Sequence, residues 1–336
     1  MCSSRSLAEI GDNAHAGRLA GDEFAVLVTG FERLDTVQKE LAELAPRLLQ
    51  TAGKPFQFHG EEIVLTASMG IAVYPRDGDN VIDLIRNADA ALYAAKKAGG
   101  NCFEWYSADM TTEAVERLML KSKLKRALER DELRVEYQAK YRLSTGRLEG
   151  AEALLRWDLP ERGTVPPSDF IPLAEETHLI LQVGDWVLNR VCSDYRAWQR
   201  VMPSPCRVSV NLSLRQLQQR RFIDQVRDTF RAQGVSPTSL ELEITETTLM
   251  EDPVRTVRIL DSLYAMGLHL AIDDFGTGYS SLSALQQFPI TTLKIDRSFV
   301  RNVAVDRDDA AIVNAIIQMA HSLQLEVVAE GVENAA

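Results

Sequence analysis

At 336 residues the chain is long enough for about two domains. A hydrophobic share of 46% beside 25% charged residues is that of a folded globular protein and argues against overall disorder. The net charge of −11, with no basic stripe, argues against nucleic acid as the main partner, although an anionic ligand can bind where metal ions supply positive charge.

No apolar run approaches the roughly 18 residues of a membrane span, and no secretory h-region opens the chain. The segment is expected to be cytoplasmic, with room for a membrane or sensor domain upstream in a longer parent chain. Cys2, Cys102, Cys192 and Cys206 form no C-x-x-C pair, and no histidine lies at zinc-ligand spacing from them, so free thiols are expected.

The first 17 residues are polar and small and carry no structural signal. Gly21-Asp22, flanked by β-prone residues, reads as a hairpin turn. Leu34, Val37, Leu41, Leu44 and Leu48 recur at helical spacing over residues 34–51. A strand is expected over 64–73, a helix over 82–97 with Gly99-Gly100 past its end, and a closing strand over 102–106.

Three pieces of this region, Arg18 to Phe24, Thr66 to Ala72 and Asn87 to Lys96, resemble the second half of the GGDEF family of diguanylate cyclases. The signature turn is degenerate: Ala20-Gly21-Asp22-Glu23-Phe24 has alanine where the family has its first glycine. Gly11 and Ala14 stand where the family's product-inhibition motif would be, and Gly100 replaces an arginine after the last helix. The family's first strand and helices, with their metal-binding and guanine-binding residues, would precede residue 1. The resemblance therefore implies an incomplete GGDEF domain over 1–107, regulatory or inert, with GTP as the ligand its turn would take.

Residues 111–130 place Val115, Leu118, Leu120, Leu124 and Leu128 among charges, and an amphipathic connector helix is expected over 108–130. The pattern then changes. Seven β-type runs begin at Leu133, Leu148, Arg207, Leu240, Leu268, Thr291 and Glu326, with helical patterns between most of them. Such alternation over roughly 200 residues points to a (β/α)8 barrel, whose chemistry sits at the C-terminal strand ends. The fifth run ends in Asp273-Asp274, followed at once by a glycine-bearing turn. Alone, that pair reads as a strand end and an Asx-type turn. Glu152, Asn211, Glu243, Lys294 and Glu330 fall at or near the ends of other runs, with Arg156 and Glu333 beyond them. A barrel mouth with four or more carboxylates and an amide is an oxygen-donor site for two divalent cations, Mg²⁺ or Mn²⁺.

The residues carrying this pattern resemble the EAL family of cyclic-di-GMP phosphodiesterases. The signature is Glu152-Ala153-Leu154-Leu155-Arg156-Trp157, with further matches at 169–176, 210–213, 240–246, 273–281, 293–296 and 329–333. The resemblance covers 131–336 and implies a modified barrel whose first strand runs against the others. It also implies roles. Glu152, Asn211, Glu243 and Asp273 would hold one metal; Asp273 would bridge to a second, held also by Asp274 and Glu330. Lys294 would orient the attacking water and offset phosphate charge. Gln138 and Arg156 would touch substrate. Glu175 and Glu333 would position loops, and the loop from Asp274 through Phe275, Gly276, Thr277 and Gly278 would couple dimer contacts to metal binding. The family continues beyond Glu333 into a helix and a last strand, so the expected barrel lacks its C-terminal strand and helix. The implied activity is metal-dependent hydrolysis of cyclic-di-GMP to linear pGpG by a homodimer. The alternative is a non-catalytic cyclic-di-GMP receptor, whose usual mark is the loss of metal ligands.

Overall fold

Gly21 and Asp22 close an antiparallel hairpin between β1 (Ala14–Ala20) and β2 (Glu23–Val28). Gly21 stands at φ +49°, a left-handed conformation that a residue without Cβ adopts freely. The Arg18 Nε donates to the Gly21 carbonyl at 2.8 Å, tying the strand to its own turn. The structure, a computed structural model, describes residues 13–31, 33–58, 61–202, 204–277 and 285–332. The chain divides between Met119 and Leu120 into two units.

The first unit continues with α1 (Leu34–Ala52), β3 (Phe56–Phe58), β4 (Glu61–Ile63), β5 (Met69–Ile71), α2 (Val81–Lys97) and β6 (Phe103–Trp105). β1 starts within the stretch that carried no sequence signal, because Ala14 to Gly17 pair with Val28 to Ala25 and take their conformation from that partner. The strand expected over 64–73 contracts to Met69–Ile71, whose parallel partner β6 is itself only three residues long. β5 lies so close to α2 that a Cβ on Gly70 would meet the Ala88 carbonyl oxygen at 2.0 Å. Only glycine fits there.

The connector helix expected over 108–130 is α3 (Ala108–Ala127), within which the boundary between the units falls. Its residues Leu120, Leu124 and Ala127 join the core of the second unit. That unit then runs β7 (Leu133–Tyr141), β8 (Leu148–Leu159), β9 (Gly163–Val165), α4 (Pro167–Glu176), α5 (Leu179–Gln199), β10 (Arg207–Asn211), α6 (Leu214–Leu217), α7 (Phe222–Gln233) and β11 (Leu240–Thr245). It ends with α8 (Glu246–Glu251), α9 (Pro253–Ala265), β12 (His269–Phe275), β13 (Thr292–Ile295), α10 (Arg297–Val300), α11 (Arg307–Ser322) and β14 (Glu326–Ala329).

The sheet order is β14-β13-β12-β11-β10-β8-β7, with β9 paired to β8. The steps from β8 to β14 are parallel, while β7 is antiparallel to β8. This is a partial barrel with the reversed first strand that the family resemblance implies, and β9 is an added strand that the sequence pattern does not signal. Among the described residues, β14 and β7 have no further strand on their outer sides.

Alternation along the strands sorts residues by face. Ala153, Trp157, Val208, Val210, Leu240, Leu242, Ile272, Leu293 and Ile295 are buried in one apolar core. Trp157 packs edge-on against Phe170 of α4, with ring centroids 5.6 Å apart. The opposite face carries Gln138, Glu152, Ser209 and Glu241 in register across β7, β8, β10 and β11. Among the described residues, no helix is long and apolar enough to cross a membrane. Cys102, Cys192 and Cys206 are free thiols, as expected, and burial pushes the Cys192 thiol up to about 12.

Candidate active site

The Lys294 side chain, 1% exposed, ends among four carboxylates from four other strands or strand ends. Its Nζ lies 2.6 Å from Glu243 Oε2, 2.6 Å from Glu330 Oε1, 3.0 Å from Asp273 Oδ1 and 3.2 Å from Glu152 Oε2. Burial alone would lower the Lys294 ammonium, but Glu243, Asp273, Glu152 and Glu330 together hold it well above the ordinary lysine value. It is a fixed cation.

Four carboxylates around one ammonium leave an excess of negative charge. Like charges about 4 Å apart cost roughly 4 kcal/mol at an effective dielectric of about 20. Burial accordingly raises Glu152, with a further push from Glu243, and it raises Glu330. Glu243 goes the other way: burial would raise it, but Lys294 and Lys140 outweigh that and hold it low. Asn211 donates from Nδ2 to Glu152 Oε1 at 3.0 Å, so the amide is spent on orienting a carboxylate.

The Asp273-Asp274 pair depends on a local irregularity. Adjacent residues on a regular strand point to opposite faces. Here the ladder between β12 and β13 shifts between Ile272 and Phe275, and Asp274 sits at φ +53°. The Asp274 N–H donates to Asp273 Oδ1 at 2.9 Å. With the strand turned in this way, Asp273, Asp274 and Glu330 each place an oxygen within 4.8 Å of the others. Burial, then the neighbouring Asp273 and Asp296, raise the Asp274 carboxyl. An all-oxygen set of carboxylates plus an amide suits hard divalent cations such as Mg²⁺ or Mn²⁺, so these residues fit the metals expected of them.

The structure therefore brings together Glu152, Asn211, Glu243, Asp273, Asp274, Lys294 and Glu330. Gln138 stands opposite Glu152 in the β7–β8 register. Arg156 is instead paired with Glu136, Nε to Oε2 at 2.7 Å, and does not join the group. Glu175 on α4 is raised by burial and faces Arg215, and it too stays outside the hydrogen bonds around Lys294. In the loop after β12, Phe275 is buried and the Thr277 hydroxyl donates to the Asp274 carbonyl at 2.8 Å. Gly278 and Glu333 lie outside the described residues. In the first unit, Gly21, Asp22, Glu23 and Phe24 are exposed at the hairpin tip.

Three residues of this neighbourhood escaped sequence reasoning. Glu246, 2% exposed, accepts from the Gly276 N–H at 2.9 Å and so anchors the loop after β12. Lys140 reaches Glu243 Oε1 at 2.6 Å, and Glu241 lies beneath it. Glu241 and Glu243 alternate on β11, so the i, i+2 spacing was a usable signal that both face inward.

Residues 121–336 match the EAL domain family. The chain belongs to the EAL family. Residues 5–102 match the diguanylate cyclase GGDEF domain, so the EAL domain follows a GGDEF domain. The bifunctional diguanylate cyclase/cyclic di-GMP phosphodiesterase MucR of Pseudomonas aeruginosa is 43% identical over 319 residues, covering 95% of this chain and 46% of MucR. The cyclic di-GMP phosphodiesterase NbdA of the same organism is 39% identical over 334 residues, covering 99% of this chain and 42% of NbdA. The chain thus spans less than half the length of either relative. Among solved structures, the MucR phosphodiesterase in complex with c-di-GMP superposes with a TM-score of 0.63 at 45% identity, over 65% of this chain and 88% of that one. The EAL enzyme Bd1971 in its cAMP-bound form gives 0.62 at 30% identity, over 77% and 68%.

Proposed function

We propose that this chain is a cyclic-di-GMP phosphodiesterase that opens one phosphodiester of the cyclic dinucleotide to give linear pGpG. The observation that carries the reading is the convergence of Glu152, Glu243, Asp273 and Glu330 on Lys294, with Asp274 beside them. A receptor that had lost catalysis would be expected to have lost some of these donors.

Glu152, Asn211, Glu243 and Asp273 would hold one divalent cation, and Asp273, Asp274 and Glu330 a second. Bound there, the cations supply Lewis-acid activation of water and neutralise phosphate charge. Lys294 keeps its proton, so its work is to donate: the ammonium orients the attacking water and offsets charge on the phosphate. Asn211 holds the Glu152 carboxylate in one orientation. Glu246 holds the loop after β12 through Gly276 and so sets the position of Asp273 and Asp274. Hydrolysis puts the water oxygen on phosphorus, and the leaving 3′ oxygen takes a proton. Gln138, exposed on the inner face, is available to the substrate, whereas Arg156 must leave Glu136 to touch it.

The GGDEF region, assigned to 1–107 and joined through 108–130 to a catalytic region over 131–336, acts as a regulatory or inert element, with GTP as the ligand its turn would take. The active form is a homodimer through the EAL unit. Purified chain incubated with cyclic-di-GMP and Mg²⁺ or Mn²⁺ should yield pGpG, and Glu152→Ala should not. Tight binding of the dinucleotide with no product would instead establish a receptor.

A further inference from the structure

A second buried polar layer lies below the carboxylates around Lys294. β7 runs against β8, so its last residues lie beside the first residues of β8, with Lys140 opposite Gly150. From there the Lys140 side chain rises to place Nζ 2.6 Å from Glu243 Oε1, 2.7 Å from Ser209 Oγ and 3.7 Å from Glu241 Oε1. Glu241, 4% exposed, is itself held: Ser209 Oγ donates to Oε1 at 2.8 Å, Thr292 Oγ1 to Oε2 at 2.8 Å, and Arg207 NH1 lies 3.4 Å from Oε2. Glu243 is thus divided between two lysines, with Oε1 on Lys140 and Oε2 on Lys294.

We propose that Lys140 is a positioning residue for the metal site: by engaging Oε1 of Glu243 it turns Oε2, which also accepts from Lys294, toward the carboxylates that would hold a divalent cation, and the Glu241–Ser209–Thr292 layer sets the height from which it does so. This rests on the metal-dependent reading given above. The geometry favours positioning over simple charge balance. An ammonium needed only to offset buried negative charge would not require a serine and a second, fully hydrogen-bonded glutamate to fix its place. Partners that orient a metal ligand typically contribute about 10- to 100-fold to metal affinity.

The test is Mn²⁺ affinity, measured by calorimetry or by the electron paramagnetic resonance of free Mn²⁺, alongside thermal melts and pGpG formation. Lys140→Met should weaken Mn²⁺ binding by about 10- to 100-fold. It should lower kcat much less at saturating Mn²⁺ and leave KM for cyclic-di-GMP nearly unchanged, while Lys140→Arg should restore part of the affinity. Ser209→Ala, which keeps both charges, should cost a few-fold and serves where Lys140→Met does not fold. A folded Lys140→Met protein with a lower Tm but wild-type Mn²⁺ affinity would overturn the proposal, as would an unchanged affinity in Ser209→Ala if that variant is the one that folds. A wild-type chain that binds Mn²⁺ but makes no pGpG, with affinity still lost in Lys140→Met, would remove the phosphodiesterase reading and leave this one standing. A wild-type chain that binds no Mn²⁺ would overturn both.

Discussion

Lys294 on β13 and Glu152 on β8 meet at 3.2 Å, although four strand-to-strand steps separate them in the sheet. In a flat sheet those steps would span roughly 19 Å. The contact exists because the sheet curls into a partial barrel, and the curl converts separate inward-facing residues into one site.

Removing the shared cation should expose the cost of that site. Lys294→Met leaves four carboxylates facing one another without their ammonium. Breaking a buried ion pair by deleting one partner typically destabilises by about 3–5 kcal/mol. The metal-free variant should lose stability on that order in urea melts, and turnover of cyclic-di-GMP should fall by at least about 100-fold. Wild-type stability in the absence of metal would contradict the charge argument.

Asn211→Asp separates the amide's two roles. The new carboxylate supplies an oxygen but cannot donate to Glu152 Oε1, so the present 3.0 Å hydrogen bond becomes a repulsion. Metal-free protein should lose about 1–3 kcal/mol. Mn²⁺ should recover most of the loss, which paired melts with and without the ion would reveal. A variant equally unstable in both conditions would show that Asn211 acts on the fold rather than on the site.

The pH dependence follows from the carboxyls that the site raises. Glu152, Glu330 and Asp274 are all lifted above the ordinary carboxylate range, burial being the largest cause. Over the window above about pH 4.3, where unfolded glutamates have lost their protons, the folded metal-free protein still holds some. Its stability from these groups therefore falls as pH rises through the window. Lys294 works in the same direction only near and above the unfolded lysine value of about 10.4, and Glu243, held low, loses its contribution only in acid. A cation displaces the retained protons. The rise in Tm on adding Mn²⁺ should accordingly be larger at about pH 8 than at about pH 5.5, and a calorimetric scan showing the reverse order would refute the assignment.

Glu246 should matter through the loop it holds. Glu246→Gln keeps an oxygen that can accept from the Gly276 N–H, whereas Glu246→Ala does not. The alanine variant should lower activity by about 10-fold or more and the glutamine variant by much less. Equal losses in steady-state assays would mean that the charge, not the hydrogen bond, is what counts.

Much was legible in the chain. The β-type runs from Leu133 to Glu326 recur as strands because alternation and flanking helical periodicity are local properties, and local patterns survive into the fold. The degenerate hairpin tip at Gly21-Asp22 was equally readable, since two residues suffice to specify the turn. The short strand β9 and the contraction of the 64–73 strand were not, because each depends on how far a partner extends.

At the site the division is sharper. By itself the sequence set Glu152, Asn211, Glu243, Asp273, Lys294 and Glu330 on or directly beside six successive β-type runs. Only the tertiary structure decided that Lys294 takes four of those carboxylates and that Lys140 divides Glu243 with it. It likewise decided that Arg156 spends its charge on Glu136, and that a ladder shift with Asp274 at positive φ brings two adjacent aspartates toward Glu330. The reason is physical. A strand's periodicity states which face a side chain occupies, but its partners across a barrel are set by curvature, register and bulges, which arise from the whole sheet and are written in no single strand.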